Sequence, residues 1–367
     1  MPPLSHLTRL IFSPPANKTS APICSRPGPR TQSIHPLQRP LHVGFLSHQT
    51  CRHPSPGPLR PAVHRTLDRE WQGSGHIPFE YLVVATGTKL AEPAGMRDDE
   101  KAASVAYLRK HQADVKRAKS ILIAGGGAVG VQMATDLKEY YPEKEVTVVQ
   151  SRPRLMPQYH PKLHELIKER FDELGIKFIT GSRIQIPPAG FPPTTPFPVH
   201  LTGGTKLPSE FDFVILATGQ SPNNSLLSDL PVSAGPLLNP DNGFIRIRPT
   251  MQFLDGKYPH LFAVGDIADT GLRKAARPGS AQAGVVARNI HSLITGREPL
   301  EEVSRAPAGI HLTLGLKYNV VFRNPNEAEG QTEPTVIKRY DGQEDMGVEA
   351  WWERLGVKSN GGKDYHL

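Results

Sequence analysis

An α/β fold built on parallel sheets is what this sequence predicts, and three observations predict it. Short apolar runs alternate with helical stretches from about position 79 onward. One run, Ser120 to Ala124, leads straight into the glycine turn Gly125-Gly126-Gly127-Ala128-Val129-Gly130. Two others, Tyr81-Leu82-Val83-Val84-Ala85 and Phe213-Val214-Ile215-Leu216-Ala217, each stop at Thr-Gly. Strands covered on both faces read as continuous apolar segments, and helices between successive strands bring those strands parallel.

In chain order, Tyr81–Ala85 is a buried strand halted by Thr86-Gly87, and a charged helix follows over about Asp98–Ala118. The strand Ser120–Ala124 and the glycine turn open a helix running through Tyr140, which Pro142 ends because proline cannot continue it. A strand is expected at Glu145–Gln150. A helix over Pro161–Leu174 has proline at its first position and Gly175 as its stop. Short strands near Lys177–Thr180 and Val199–Thr202 precede the run that ends at Thr218-Gly219. A third run, Leu261-Phe262-Ala263-Val264, ends at Gly265-Asp266, and the next helix is expected from about Ser280 to Ile294. Beyond Arg305 the pattern is that of a small α+β module.

The charge is unevenly spread. The first acid is Asp68, while Arg9, Lys18, Arg26, Arg30, Arg39, Arg52, Arg60 and Arg65 precede it, so these bases account for the whole net charge of +8. The remainder is balanced, which argues against a nucleic-acid groove on the folded part. Residues 1–70, dense in Pro, Ser, Arg and His and without periodicity, are expected to be an ill-ordered extension. Their prolines count against an organelle-targeting helix, for which only Leu4–Phe12 is suited. Both cysteines, Cys24 and Cys51, fall there, with no CxxC and no metal-ligand spacing, so neither a zinc site nor a redox dithiol is expected. No window approaches the ~18 consecutive apolar residues of a membrane span.

The glycine turn is the chemistry-bearing feature. Following a strand and opening a helix, it fits a dinucleotide pyrophosphate. Gly125 permits the tight turn, Gly127 lets backbone approach the phosphates, and Gly130 lets helix and strand pack closely. The first-turn amides at Ala128 and Val129 and the helix dipole then attract the anion. An acid at the end of the following strand would accept bonds from the adenosine ribose and repel a 2′-phosphate. Here Gln150-Ser151-Arg152 stands instead. Gln150 removes the repulsion, Ser151 can donate, and Arg152 carries a fork suited to phosphate oxygens. Arg152 and Arg154 read equally well as solvated loop residues, so NADH and NADPH both stay open.

With the Ala-Thr-Gly ends at 85–87 and 217–219 flanking the glycine turn and Val264-Gly265-Asp266 following, the chain resembles the pyridine nucleotide-disulfide oxidoreductase superfamily. Segments 130–152 and 261–290 resemble its apoptosis-inducing-factor-like, ferroptosis-suppressor-like branch. The resemblance implies two Rossmann-like dinucleotide domains, with an NAD(P)H domain (96–240) inserted into an FAD domain (71–95 and 241–305) and a C-terminal module (306–367). It implies hydride transfer from NAD(P)H to FAD, with the cofactors supplying the chemistry and no protein nucleophile or general base. Ala217, Thr218 and Gly219 would close the NAD(P)H domain beside the nucleotide, and Thr86 and Gly87 would lie against FAD. Gly265 and Asp266 would meet flavin ribityl or ribose hydroxyls. The helix from Ser280 would aim its N-terminus at the flavin edge where negative charge develops. Lys274 and Gln282 are candidate flavin or acceptor residues; an ordinary surface position is the alternative for both and the preferred reading for Lys274, and a turn cap is the alternative for Asp266.

This sequence departs from the pattern twice. Without CxxC, electrons are expected to leave to a quinone, dioxygen or another diffusible acceptor rather than through a dithiol. Residues 1–78 hold no second glycine turn, so the first half of the FAD domain is expected to be missing or replaced. The competing expectation is therefore a truncated NAD(P)H-binding protein that cannot hold FAD. The expected location is cytoplasmic or mitochondrial, with peripheral membrane contact open; Trp351-Trp352 is a candidate interfacial patch, although core packing is the preferred reading of it.

Overall fold

A computed structural model describes residues 79–344 apart from 97, 99, 193–195 and 234, together with 347, 350, 353, 354 and 356. The expected ill-ordered extension, both cysteines and Trp351-Trp352 lie outside the described residues. The described residues form two units, one from Thr88–Ser221 and those from Arg305 onward, the other from 79–87 and Pro222–Ser304. The crossings fall at Gly87/Thr88 and Ser221/Pro222, earlier in the chain than the bounds expected near 96 and 240.

The first unit is organised by a four-stranded parallel sheet of β3 (Ser120–Ala124), β4 (Glu145–Val149), β5 (Lys177–Ile179) and β8 (Phe213–Leu216), in the order β5-β4-β3-β8. Ile121 registers against Val146 on one side and Phe213 on the other. Both faces of β3 are buried. Ile121 and Ile123 enter one core with Val131, Leu163 and Phe171, while Leu122 and Ala124 enter another with Phe197, Val199 and Phe211. This double burial is why the strand is apolar throughout. The helices are α1 (Lys101–Arg117), α2 (Ala128–Tyr140) and α3 (Pro161–Leu174). The last is bounded as its sequence signals require. Pro161 stands in the first turn, the His160 ring accepts from the Lys162 amide at 3.3 Å, and Gly175 takes a left-handed conformation at φ 66°.

Strands β6 (Phe197–His200) and β7 (Lys206–Phe211) form an antiparallel hairpin that supplies Phe197, Val199, Leu207 and Phe211 to the second core. The strand expected at Val199–Thr202 thus lies two residues earlier. Two short strands, β2 (Thr88–Leu90) and β9 (Gln220–Pro222), pair where the chain crosses over.

The C-terminal stretch forms an antiparallel sheet of β11 (Gly309–Thr313), β12 (Asn319–Arg323) and β13 (Thr335–Arg339). It is no satellite: Ile310, Leu312, Leu314, Val320 and Phe322 belong to the same core as Ile121 and Phe171. Polar ties reinforce this. Gln132 donates to Thr313 at 2.7 Å, and Arg170 bonds Glu139 and, at 2.9 Å, the Leu314 carbonyl.

The second unit holds a parallel pair, β1 (Leu82–Val84) beside β10 (Leu261–Ala263), and α4 (Ala276–Ile294). Val84, Phe253, Phe262, Ile267, Val286 and Ile290 form its core. The helix expected from Ser280 begins four residues earlier, at Ala276. Pro278-Gly279 reads as a break in sequence, but a proline in the first helical turn gives up an amide that has no intrahelical partner anyway.

Candidate functional site

In the first unit the glycine turn is shaped by contacts that leave little latitude. Gly125 has φ 121°, and a side chain there would meet the Ala217 carbonyl oxygen at 2.1 Å. A methyl at Gly130 would stand 1.8 Å from the Gly125 carbonyl oxygen, and one at Gly126 would meet Leu155 at 2.3 Å. Gly127 differs: nothing lies within 4 Å of the position its Cβ would take. The three glycines that touch protein are closed against it, and the one expected to face the pyrophosphate looks into open space. Gly127 is also the N-cap of α2, and no side chain caps the helix, so the first-turn amides at Ala128, Val129 and Gly130 compete with no capping oxygen. This cradle fits a dinucleotide phosphate.

Ala217 lies against the turn, its amide bonded to the Ala124 carbonyl at 2.8 Å. Thr218 and Gly219 follow directly, Gly219 at φ 97°. Gln150 sits just past the end of β4, only 7 % exposed. Its side-chain oxygen accepts from the Gly126 amide at 3.3 Å and the Ser151 amide at 3.1 Å, and its nitrogen donates to the Arg154 carbonyl at 3.2 Å. Gln150 therefore props the turn from beneath. Ser151 and Arg152 are exposed beyond it and line a cleft of about 400 Å³ that also takes in Ser182 and Arg183, neither of which the sequence reading singled out.

In the second unit Gly265, at φ 73°, opens a single helical turn over Gly265–Ile267. Its amide donates to the Gln282 side-chain oxygen at 2.7 Å, and Gln282 is 3 % exposed. Gln282 holds the loop from behind rather than lining a surface. A methyl on Gly279, in the first turn of α4, would come within 3.3 Å of Gly265 Cα, so helix start and loop pack backbone to backbone. The N-terminus brought to this loop is that of Ala276, not Ser280. Asp266 is half-buried, with no side-chain hydrogen bond to it among the described residues, and open space surrounds the Cβ position of Gly265. These groups fit a polyhydroxyl chain such as the riboflavin half of FAD; the adenosine half has no counterpart among the described residues.

Thr86 is committed elsewhere: its hydroxyl donates to the Asn223 carbonyl at 2.7 Å, and the Asn223 side chain returns a bond to the Thr86 carbonyl at 2.9 Å. Gly87, at φ 62°, has open space above it. Lys274 is no ordinary surface lysine. It donates to the Ala268 carbonyl and lies 4.1 Å from the centre of the Phe244 ring. Burial pushes its pKa below the usual lysine value, with Asp269 and Asp266 pulling the other way. No group of metal-ligating side chains occurs among the described residues, and no helix among them is long and apolar enough to cross a membrane.

A family profile described as pyridine nucleotide-disulphide oxidoreductase matches residues 61–286. Fe-regulated protein 8 of Mycosarcoma maydis is 30% identical over 316 residues, covering 82% of this chain and 74% of that protein. The FAD-dependent oxidoreductase FVFD30 of Flammulina velutipes is 33% identical, covering 62% and 66%, and ferroptosis suppressor protein 1 of Mus musculus is 28% identical, covering 66% and 64%. In fold alone, the chain is similar to a sulfide:quinone oxidoreductase of Aquifex aeolicus, with TM-score 0.55 at 18% identity over 76% of this chain and 68% of that one.

Proposed function

Because the chain belongs to the pyridine nucleotide-disulphide oxidoreductase family, in the branch of apoptosis-inducing factor homologues and ferroptosis suppressor proteins, we propose that it is an FAD-dependent NAD(P)H oxidoreductase whose electrons pass to a quinone or a similar small acceptor. The observation that carries this is the cradle at 125–130, closed against protein at three glycines and open at Gly127. Gly125, Gly127 and Gly130 with the amides of Ala128 and Val129 bind the pyrophosphate, and Ala217, Thr218 and Gly219 border it. Gly265 and Asp266, held by Gln282, bind the riboflavin hydroxyls, with Gly87 beside β1. Bound FAD would supply the two-electron acceptor for the hydride. Two electrons and a proton leave the nicotinamide; with one further proton from water, a quinone becomes a quinol. The absence of any CxxC leaves a diffusible acceptor as the exit.

A second reading, an NAD(P)H-binding protein without FAD, is favoured by one observation: every contact that shapes the cradle at 125–130 comes from within the first unit. The visible spectrum of the purified full chain separates the two. Flavin absorption near stoichiometric occupancy, with quinone-dependent oxidation of NADH or NADPH, is the expected result. A colourless protein that still binds nicotinamide dinucleotide would establish the second reading.

A further inference from the structure

We propose that Ser182 and Arg183, on the turn after β5, join Ser151 and Arg152 to form a seat for the 2′-phosphate of NADPH, making NADPH the preferred dinucleotide. This rests on the reading that the glycine turn holds a nicotinamide dinucleotide. A dinucleotide seated there carries its adenosine ribose toward the end of β4, where an acid would bind the ribose diol. In this chain that position offers no acceptor. Gln150 is turned inward, its oxygen spent on the Gly126 and Ser151 amides. What lies beyond is a cleft of about 400 Å³ whose lining includes Ser151, Arg152, Ser182, Arg183, Thr202 and Thr205, and no carboxylate.

Two guanidinium groups and the hydroxyls of Ser151, Ser182 and Thr205 lining one cleft suit a dianion with three acceptor oxygens, since charge-assisted bonds to phosphate are the strong ones. A bare ribose diol has no charge for the arginines to meet. Neither Arg152 nor Arg183 has an ion-pair partner among the described residues, whereas Arg117, Arg170 and Arg288 are each paired with a carboxylate.

The backbone beneath the seat is fixed. The Ser182 amide donates to the Gln150 carbonyl at 3.1 Å and the Gly181 amide to the Arg152 carbonyl at 2.9 Å, tying the ends of β4 and β5 together. The Arg183 carbonyl accepts from Thr202 twice, from its amide at 2.7 Å and its hydroxyl at 2.8 Å. Both arginines thus project from a braced rim, which limits the ordering cost of binding to their own side chains.

The test is calorimetric titration of the purified full chain with NADPH, NADH, adenosine 2′,5′-bisphosphate and ADP. NADPH is expected to bind at least ~10-fold more tightly than NADH, and the bisphosphate more tightly than ADP. Arg183→Ala should weaken NADPH by about 10-fold and leave NADH within about twofold, with Arg183→Lys in between. Exposure of Arg183 makes an unchanged thermal melt the expected fold control. Equal affinity for the two dinucleotides, or an Arg183→Ala variant that shifts both together, would overturn the seat while leaving the glycine-turn reading intact. If neither dinucleotide binds, the glycine-turn reading falls first and the seat with it.

Discussion

Two neighbouring glycine-to-alanine changes should part company, one harming only binding and the other the fold. At Gly127 an added methyl meets nothing within 4 Å, and φ is −81°, a value any residue adopts. Gly127→Ala should therefore leave the melting temperature unchanged or raise it slightly, since losing a glycine restricts the unfolded chain by about 0.4–1 kcal/mol. The space it fills is the approach to the helix amides. Crowding of that kind costs about 1–3 kcal/mol, which translates into a rise in Kd for NADH or NADPH of roughly 5- to 150-fold. At Gly130 the methyl stands 1.8 Å from the Gly125 carbonyl oxygen, so β3 and α2 must separate. Gly130→Ala should lower stability by about 1–3 kcal/mol or more before any ligand is added. Thermal melts and dinucleotide titrations of the purified variants give both readouts. A folded Gly127→Ala protein with wild-type affinity would refute the assignment of the open face to the pyrophosphate, and a Gly130→Ala protein as stable as wild type would refute the packing described for the turn.

Three further outcomes are expected. Burial lowers the pKa of His111 from 6.5 to about 4, against the pull of Asp114 and with a smaller push from Lys110. The unfolded chain then binds the extra proton first as pH falls, so stability is complete above pH 6.5 and declines toward pH 4. In urea melts at pH 7 and pH 4.5 the wild type should lose roughly 2–3 kcal/mol that a His111→Phe variant keeps. Arg170→Met leaves the Glu139 carboxylate half-buried without its guanidinium partner and frees the Leu314 carbonyl. A loss of about 2–4 kcal/mol in chemical denaturation is expected, and a change under 0.5 kcal/mol would deny Arg170 its place in joining the C-terminal stretch to α3 and α2. Gln282→Leu strips the Gly265 amide of its acceptor. A cost of about 1–3 kcal/mol is expected, together with reduced flavin absorbance in the purified protein, and full flavin occupancy in that variant would contradict the role given to the loop.

Local signals carried much of the fold. The both-faces burial of β3 follows from five apolar or small residues in a row, and α3 begins at Pro161 and stops at Gly175 as those residues require. The glycine turn was legible because its steric demands are local: Gly125, Gly130 and the strand before them lie within one short segment. Contacts made by pairing were not legible. Ser182 and Arg183 reach the end of β4 only because β5 lies parallel beside it, and nothing near residue 182 announces that neighbour. The C-terminal strands alternate recognisably at Ile310, Leu312 and Leu314, yet no local feature says which core they enter. The start of α4 was misplaced for the opposite reason: Pro278-Gly279 is a strong local stop signal that the first turn of a helix tolerates. Gln282 and Thr86 stand out in the sequence as candidate ligand contacts, whereas their side chains brace a loop and a strand end.

The shared core of the first unit has a consequence for synthesis. Its parallel sheet is complete in sequence at Leu216, but the strands that cover part of its core end only at Arg339. At ~5–20 residues per second, roughly 6–25 s separate the two on the ribosome. Throughout that interval the emerging chain carries an apolar face that Ile310, Leu312 and Phe322 have yet to close, and the Pro222–Ser304 part of the second unit is translated meanwhile. A nascent fragment stopping at Ser221 would hold every residue of the glycine turn and still expose the surface that chaperones bind.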